Sequence, residues 1–370
     1  MKKFFLLAAM VGVALTGCMK NEVYVPKCDT PISFEVANYV AQTRASGAFS
    51  TTETFGVDAW SYDATAGTVK IMSDEVVSYD DVNTQWVPSK TYYWPINGTV
   101  DFIAYYPATS KPTTISYKYD GTDTITYTDY TVGSEDLMYA DKAIRFSANN
   151  TATGNDTELG YDEPLLGDYG FEGVPTLFHH ALAKINFKVQ NANPTENDGS
   201  GFTYEVIVKG ITLNVYKQGS VTLTNEGTAT ASRGTWKLPT DKVWEPTDAN
   251  ALETLTWTGN VSLTDDTAVK YQDRIQYVLP QALEDGKQTI TVDYAVIQRQ
   301  NGTEISRKED YSVTSELADW NLDKWQMNTN ITYTISIAKE TTQILFAPAV
   351  EKWVDDASGS IVIENEAEKH

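Results

Sequence analysis

Apolar and polar residues alternate along most of this chain with a period of two, the spacing of half-buried β-strands. The pattern begins at Ile32, Phe34 and Val36, which alternate with Ser33 and Glu35. Residues 55–60, 69–72 and the cluster Val76, Val77 and Tyr79 continue it. Polar turns fall between them, at 63–67 and at Asp80-Asp81-Val82-Asn83 ahead of Trp86. The most aromatic run is Tyr92-Tyr93-Trp94-Pro95, followed by an apolar stretch at 100–107. Asn97-Gly98 between them predicts a hairpin. Residues 117–130 predict a second hairpin around Asp120-Gly121.

Residues 147–173 are rich in Asn, Asp, Gly and Thr and read as a long surface connection. Strands resume at 177–189, with strict alternation from Ile185 to Val189. Further strands are expected at 204–208, 211–216, 221–223, 275–279, 289–298 and 331–337, with turns at the spacing of an all-β sandwich. Only 315–325 has a weak helical look, with Leu317, Trp320 and Trp325 on one face. The expectation is an all-β protein of two β-sandwich domains, 45–172 and 173–370.

The first 44 residues follow a different logic. Lys2 and Lys3 precede an apolar run at 4–15, broken only by Gly12. A membrane-spanning helix needs about 20 apolar residues, so residues 1–17 read as a cleaved export signal. Leu15-Thr16-Gly17-Cys18 resembles the bacterial lipobox, in which the cysteine is acylated and becomes the new N-terminus. At ~0.8 kcal/mol per buried methylene, several acyl chains on Cys18 would anchor the protein firmly to the outer membrane. Residues 18–44 would then form a lipidated propeptide ending at Arg44-Ala45. Arg44 is the first arginine of the chain and lies among small polar residues, a setting that suits an arginine-specific protease. An arginine in a polar loop is ordinarily just solvated, so cleavage needs a reason from elsewhere in the chain.

Charge narrows the partners. The chain carries 28 Lys and Arg against 50 Asp and Glu, a net charge of −22. Such acidity argues against nucleic acid or an anionic membrane surface as a partner. Cys18 and Cys28 are the two cysteines, so acylation of Cys18 leaves no disulfide framework.

Candidates for catalysis are few. The three histidines are His179, His180 and the terminal His370. Neighbours on a strand point to opposite faces, so His179 and His180 cannot jointly grip a metal. One is expected to be packed in the core and the other solvated. Nucleophile-elbow, phosphate-loop and His-Glu-x-x-His patterns are all missing. The acid pairs Asp80-Asp81, Asp265-Asp266 and Asp355-Asp356 sit in turns, where Asp is favoured for backbone bonding. Acidic loops at Asn155-Asp156 and Asp162-Glu163 lack the spacing of a defined calcium loop. We therefore expect no enzyme and no cofactor. The 22 Tyr, 12 Phe and 9 Trp allow a second role, stacking on sugars in a lipid-anchored glycan-binding protein, although core filling is their ordinary use.

Several segments together resemble the fimbrillin family, the lipoprotein subunits of type V pili. They are Ile32-Ser33-Phe34 with Thr43-Arg44-Ala45, Phe55-Gly56-Val57, Tyr92-Tyr93-Trp94-Pro95 with Phe102-Ile103-Ala104-Tyr105-Tyr106-Pro107, Phe178-His179-His180-Ala181-Leu182-Ala183-Lys184-Ile185, and Ile344-Leu345-Phe346 with Val350-Glu351-Lys352-Trp353. The resemblance implies two tandem transthyretin-like, Greek-key sandwiches and a place in a surface fimbrium. It implies export as a lipoprotein, then cleavage by an arginine-specific surface protease after Arg44. A first strand carrying Ile32, Phe34 and Val36 would leave, and a neighbouring subunit's C-terminal segment would replace it. The corresponding donor here is 341–370, with Ile344, Leu345, Phe346, Ile361 and Ile363 as its apolar positions. The tail past Trp353 is short and acidic, which leaves stalk, tip and anchor roles open, as well as a host or glycan receptor.

Overall fold

The computed structural model describes residues 27–38, 49–119, 121–147, 173–196, 199–224, 234–236, 243–248, 251–272, 276–338 and 344–352. Cys18, Arg44, Ala45, Ile361, Ile363, nearly all of the expected 147–173 connection and its acidic loops lie outside them.

Strands make up almost all of the regular structure. In chain order they begin with β1 Lys27–Pro31, β2 Phe34–Asn38, β3 Thr54–Asp63, β4 Gly67–Asp80, β5 Gln85–Pro88 and β6 Tyr93–Pro95. Next come β7 Thr99–Tyr106, β8 Thr114–Ser116, β9 Thr124–Thr131, β10 Met138–Ala140, β11 Lys142–Phe146 and β12 Val174–His180. The second half opens with β13 Ala183–Asn191, β14 Phe202–Tyr216, β15 Gln218–Thr224, β16 Gly234–Trp236, β17 Glu245–Pro246 and β18 Leu252–Leu263. It closes with β19 Val269–Lys270, β20 Gln276–Val278, β21 Thr289–Gln300, β22 Thr303–Glu316, β23 Thr329–Ile337 and β24 Ile344–Lys352. The helical look of 315–325 resolves into one 3-10 turn, Leu317–Trp320, stopped by Asn321 in a left-handed conformation.

The N-terminal half is built on a sheet of order β10-β12-β2-β5-β4-β3-β7-β11-β16, in which β7 pairs with β10 as well. The path β10-β12-β2-β5-β4-β3-β7 therefore returns to its start. This ring encloses one apolar core, with Phe34, Phe55, Val57, Met72, Trp86 and Phe102 among its members. Closure removes the free edges that an open sheet would expose. A smaller sheet, β17-β15-β9-β8, covers part of the outer surface over a second core that includes Trp60, Ile103, Tyr127 and Trp244. Because β15 and β17 follow β12 in the chain while β9 precedes it, sheet pairing runs across residue 173.

The C-terminal half stacks β19-β13-β23-β24, with β20 also on β13, against β18-β14-β21-β22. Ile185, Phe187 and Val189 of β13 and Ile331, Tyr333 and Ile335 of β23 face Val208, Leu213 and Val292 of the opposing sheet in a third core. Every second residue of β23 is buried, as its period-two pattern predicts.

Candidate functional site

The feature that sets this fold apart from a plain sandwich is where its first strands lie. β2 is not an edge. It is inserted between β12 and β5, parallel to the first and antiparallel to the second. Of the sequence-predicted plug residues, Ile32 and Phe34 are buried, at 2% and 3% exposure, while Val36 is half-buried. The Phe34 ring meets Phe55 and Phe102 edge-on, with centroids 5.9 and 5.5 Å away. That edge-to-face geometry is the favoured one for aromatic pairs.

Three further contacts seat this segment. The Val174 amide donates to the Ser33 carbonyl at 2.8 Å, and the Ile32 amide donates to the Tyr92 carbonyl at 2.8 Å. Upstream, β1 pairs antiparallel with β6, Lys27 opposite Pro95 and Pro31 opposite Tyr93. The Tyr92-Tyr93-Trp94-Pro95 run is thus a clasp for the N-terminal segment. It does not pair with β7 as the Asn97-Gly98 hairpin expectation had it. Gly98 does turn the chain, at φ 86°, but a Cβ there would lie 2.0 Å from the Tyr62 carbonyl oxygen. Gly98 sits there because the next residue, Thr99, opens β7 opposite Tyr62 of β3.

The clasp is braced from below by Glu75, whose carboxylate accepts bonds from Ser89 Oγ, the Lys90 amide and Tyr92 Oη at 2.5, 3.1 and 2.8 Å. Burial alone would raise the Glu75 pKa, but these donors outweigh it and hold the group below its ordinary value. The Tyr92 hydroxyl is pushed up to about 12, by burial first and by its carboxylate neighbour second.

Sequence reasoning missed β1, Phe49 and Gly173. β1 reads Lys-Cys-Asp-Thr-Pro, with no apolar alternation to mark it. Phe49 lies a few residues past Arg44 and is buried against Phe178, stacked at 5.1 Å. Gly173 ends a polar stretch that gives no hint of close packing.

The histidine expectation needs correction. Both His179 and His180 are buried, at 1% and 2% exposure, because both faces of β12 are covered. His179 Nε2 bonds Asp141 Oδ1 at 2.8 Å, and His180 Nδ1 bonds Asp136 Oδ2 at 2.5 Å. His179 also stacks on Tyr139, 5.5 Å between centroids. Each is a separate buried pair, consistent with opposite strand faces. Among the described residues no cluster of three or more His, Cys, Asp or Glu could hold a metal.

Two other expectations concern the surface. Six of the nine tryptophans, Trp60, Trp86, Trp94, Trp244, Trp257 and Trp325, are buried, so they fill cores and do not face a sugar. At the other end, β24 carries Ile344, Leu345 and Phe346 as an outer strand. All nine of its residues pair with β23, Ile344 with Ile337 through Lys352 with Thr329.

The fold is that of an all-β, multi-sheet protein with its N-terminal strand built into the first core. The chain belongs to the Fimbrillin-like family, whose model matches residues 43–353. That assignment makes it a structural protein and not an enzyme. Among solved structures, a fimbrial protein from Bacteroides vulgatus is 17% identical with a TM-score of 0.51, over 88% of this chain and 99% of that one. At that identity the likeness shows the fold. Others, described as candidate cell adhesion proteins, come from Bacteroides uniformis (16% identity, TM-score 0.41, 88% and 99% covered) and Parabacteroides distasonis (13%, 0.43, 88% and 100%). No curated protein matches the chain.

Proposed function

We propose that this protein is a structural and adhesive subunit of a surface fimbrium, polymerised by β-strand exchange. The observation that carries the reading is the position of β2, a stave inside a closed ring whose apolar residues are core residues. Its departure would leave the flanks of β12 and β5 without partners over an apolar groove. Such a groove takes an extended segment by β-augmentation, in which main-chain bonds give affinity and alternate side chains fill pockets. In this reading, the two halves are transthyretin-like, Greek-key sandwiches, divided near 172/173 with β12 and β15–β17 lent back to the first.

The chain is exported behind residues 1–17 and lipidated at Cys18 on the outer membrane. An arginine-specific surface protease then cuts between Arg44 and Ala45. Ile32, Phe34 and Val36 leave with β1 and β2, and the groove accepts a segment from 341–370 of a neighbouring subunit. N-terminal sequencing of the protein recovered from the cell surface tests this directly. A product beginning at Ala45, assembled into denaturant-resistant ladders, is expected. Recovery of only a lipidated monomer beginning at Cys18 would overturn it.

A further inference from the structure

The two sides of β2 are held very unequally. On one side five consecutive residues, Phe34–Asn38, pair with Val174–Phe178 of β12. On the other, only Phe34 pairs with β5, opposite Trp86. The cause is local. Antiparallel counting from that pair would set Val36 opposite Thr84, but β5 starts only at Gln85. Thr84 takes a left-handed conformation, φ 52°, at the end of the turn nucleated by Asp80. Few β-branched residues adopt it, and it closes the turn that returns the chain to β4 with Gln85 opposite Asp80.

What remains beside β2 is a cleft of about 250 Å³ lined by Phe34, Glu35 and Val36 on one side of the seam and Thr84, Gln85 and Trp86 on the other, together with Tyr79. That is smaller than the roughly 300–1,000 Å³ of small-molecule sites. It is also flanked by strand backbone, which suits an extended chain. The sequence supplies one: residues 353–370 follow β24 and contain the apolar, β-branched run Ile361-Val362-Ile363. Extended, they reach up to about 60 Å. They are acidic, with Asp355, Asp356, Glu364, Glu366 and Glu368 against Lys369. Glu35 alone among the lining residues is charged.

Resting on the strand-exchange reading above, we infer that the half-open β2–β5 seam is where residues 353–370 of a second copy of this chain first take hold. The incoming strand pairs along β5 while β2 is still zipped to β12, and displaces it from there. The Ile32 and Phe34 seats are then never emptied into water, which would be the costly step of a dissociate-first route.

The test uses the full chain cut after Arg44 with the N-terminal piece still seated, and a fluorescent synthetic peptide of residues 353–370. Peptide uptake should rise in proportion to peptide concentration and outrun spontaneous loss of the seated piece. Thr84→Trp, which crowds the cleft, should slow uptake by about tenfold. Thr84→Gly, which relieves the left-handed position, should keep it at or above the unsubstituted rate, separating crowding from misfolding. A rate independent of peptide concentration, or unmoved by Thr84→Trp, overturns the seam as entry point but leaves strand exchange standing. No uptake of this peptide, or of one spanning 341–370, even after the N-terminal piece has been stripped away overturns strand exchange itself, and the seam with it.

Discussion

Gly173 lies flat against the backbone of Phe34, so closely that a Cβ on it would fall 2.7 Å from the Phe34 carbonyl carbon. No side chain fits there without displacing one strand from the other. The contact ties the start of β12 to the start of β2, two segments about 140 residues apart in the chain.

Gly173→Ala should therefore weaken the seating of β2. A loss of about 1–3 kcal/mol is expected from forcing backbone apart in a packed core. Denaturant midpoints would report it in the intact chain. In a chain beginning at Ala45, where Phe34 is gone, the same substitution should cost far less. An equal loss in both forms would show that Gly173 matters for some other reason.

Phe34→Ala should be among the most damaging single changes in the N-terminal half. The ring fills space between Phe55 and Phe102, and its removal leaves a cavity they cannot close. Phe→Ala truncations of this kind cost about 3–5 kcal/mol. Val36→Ala, at a half-buried position beside the open seam, should cost much less when thermal unfolding is compared.

Acid should loosen the clasp. Three hydrogen-bond donors hold the Glu75 pKa below its ordinary value of 4.5 in spite of burial. A depressed carboxylate stabilises the fold fully above that ordinary value, and the contribution is lost as pH falls through the lower, folded value. Unfolding midpoints measured from pH 6 down to pH 3 should drop more steeply for the natural chain than for Glu75→Gln. Parallel curves would remove Glu75 from the account.

Lys142 should tolerate no simple replacement. It is 3% exposed and bridges Asp123 and Asp101 at 2.8 and 3.1 Å, with its ammonium 4.5 Å from the Tyr117 ring centre. Burial pushes the Asp123 pKa up, and Lys142 opposes that push. Lys142→Met strands two buried carboxylates, a loss of about 3–5 kcal/mol by calorimetry. Replacing Asp101 and Asp123 by Asn along with it should recover part of that loss.

The period-two pattern by itself determined that the chain is all-β, where most strands lie, and that Ile32 and Phe34 face a core while Ser33 does not. Alternation is a local property, written in residues two apart, and β13 and β23 follow it residue by residue. What it cannot encode is which strand lies alongside which, because pairing is settled by contacts between residues far apart in the chain. Only the tertiary structure decided that β2 runs parallel to β12, that β7 closes the ring through β10, and that β6 clasps β1. It buried both His179 and His180 by covering both faces of β12. It also required a glycine at 173, where one backbone rests on another, a demand that nothing in the surrounding polar residues announces.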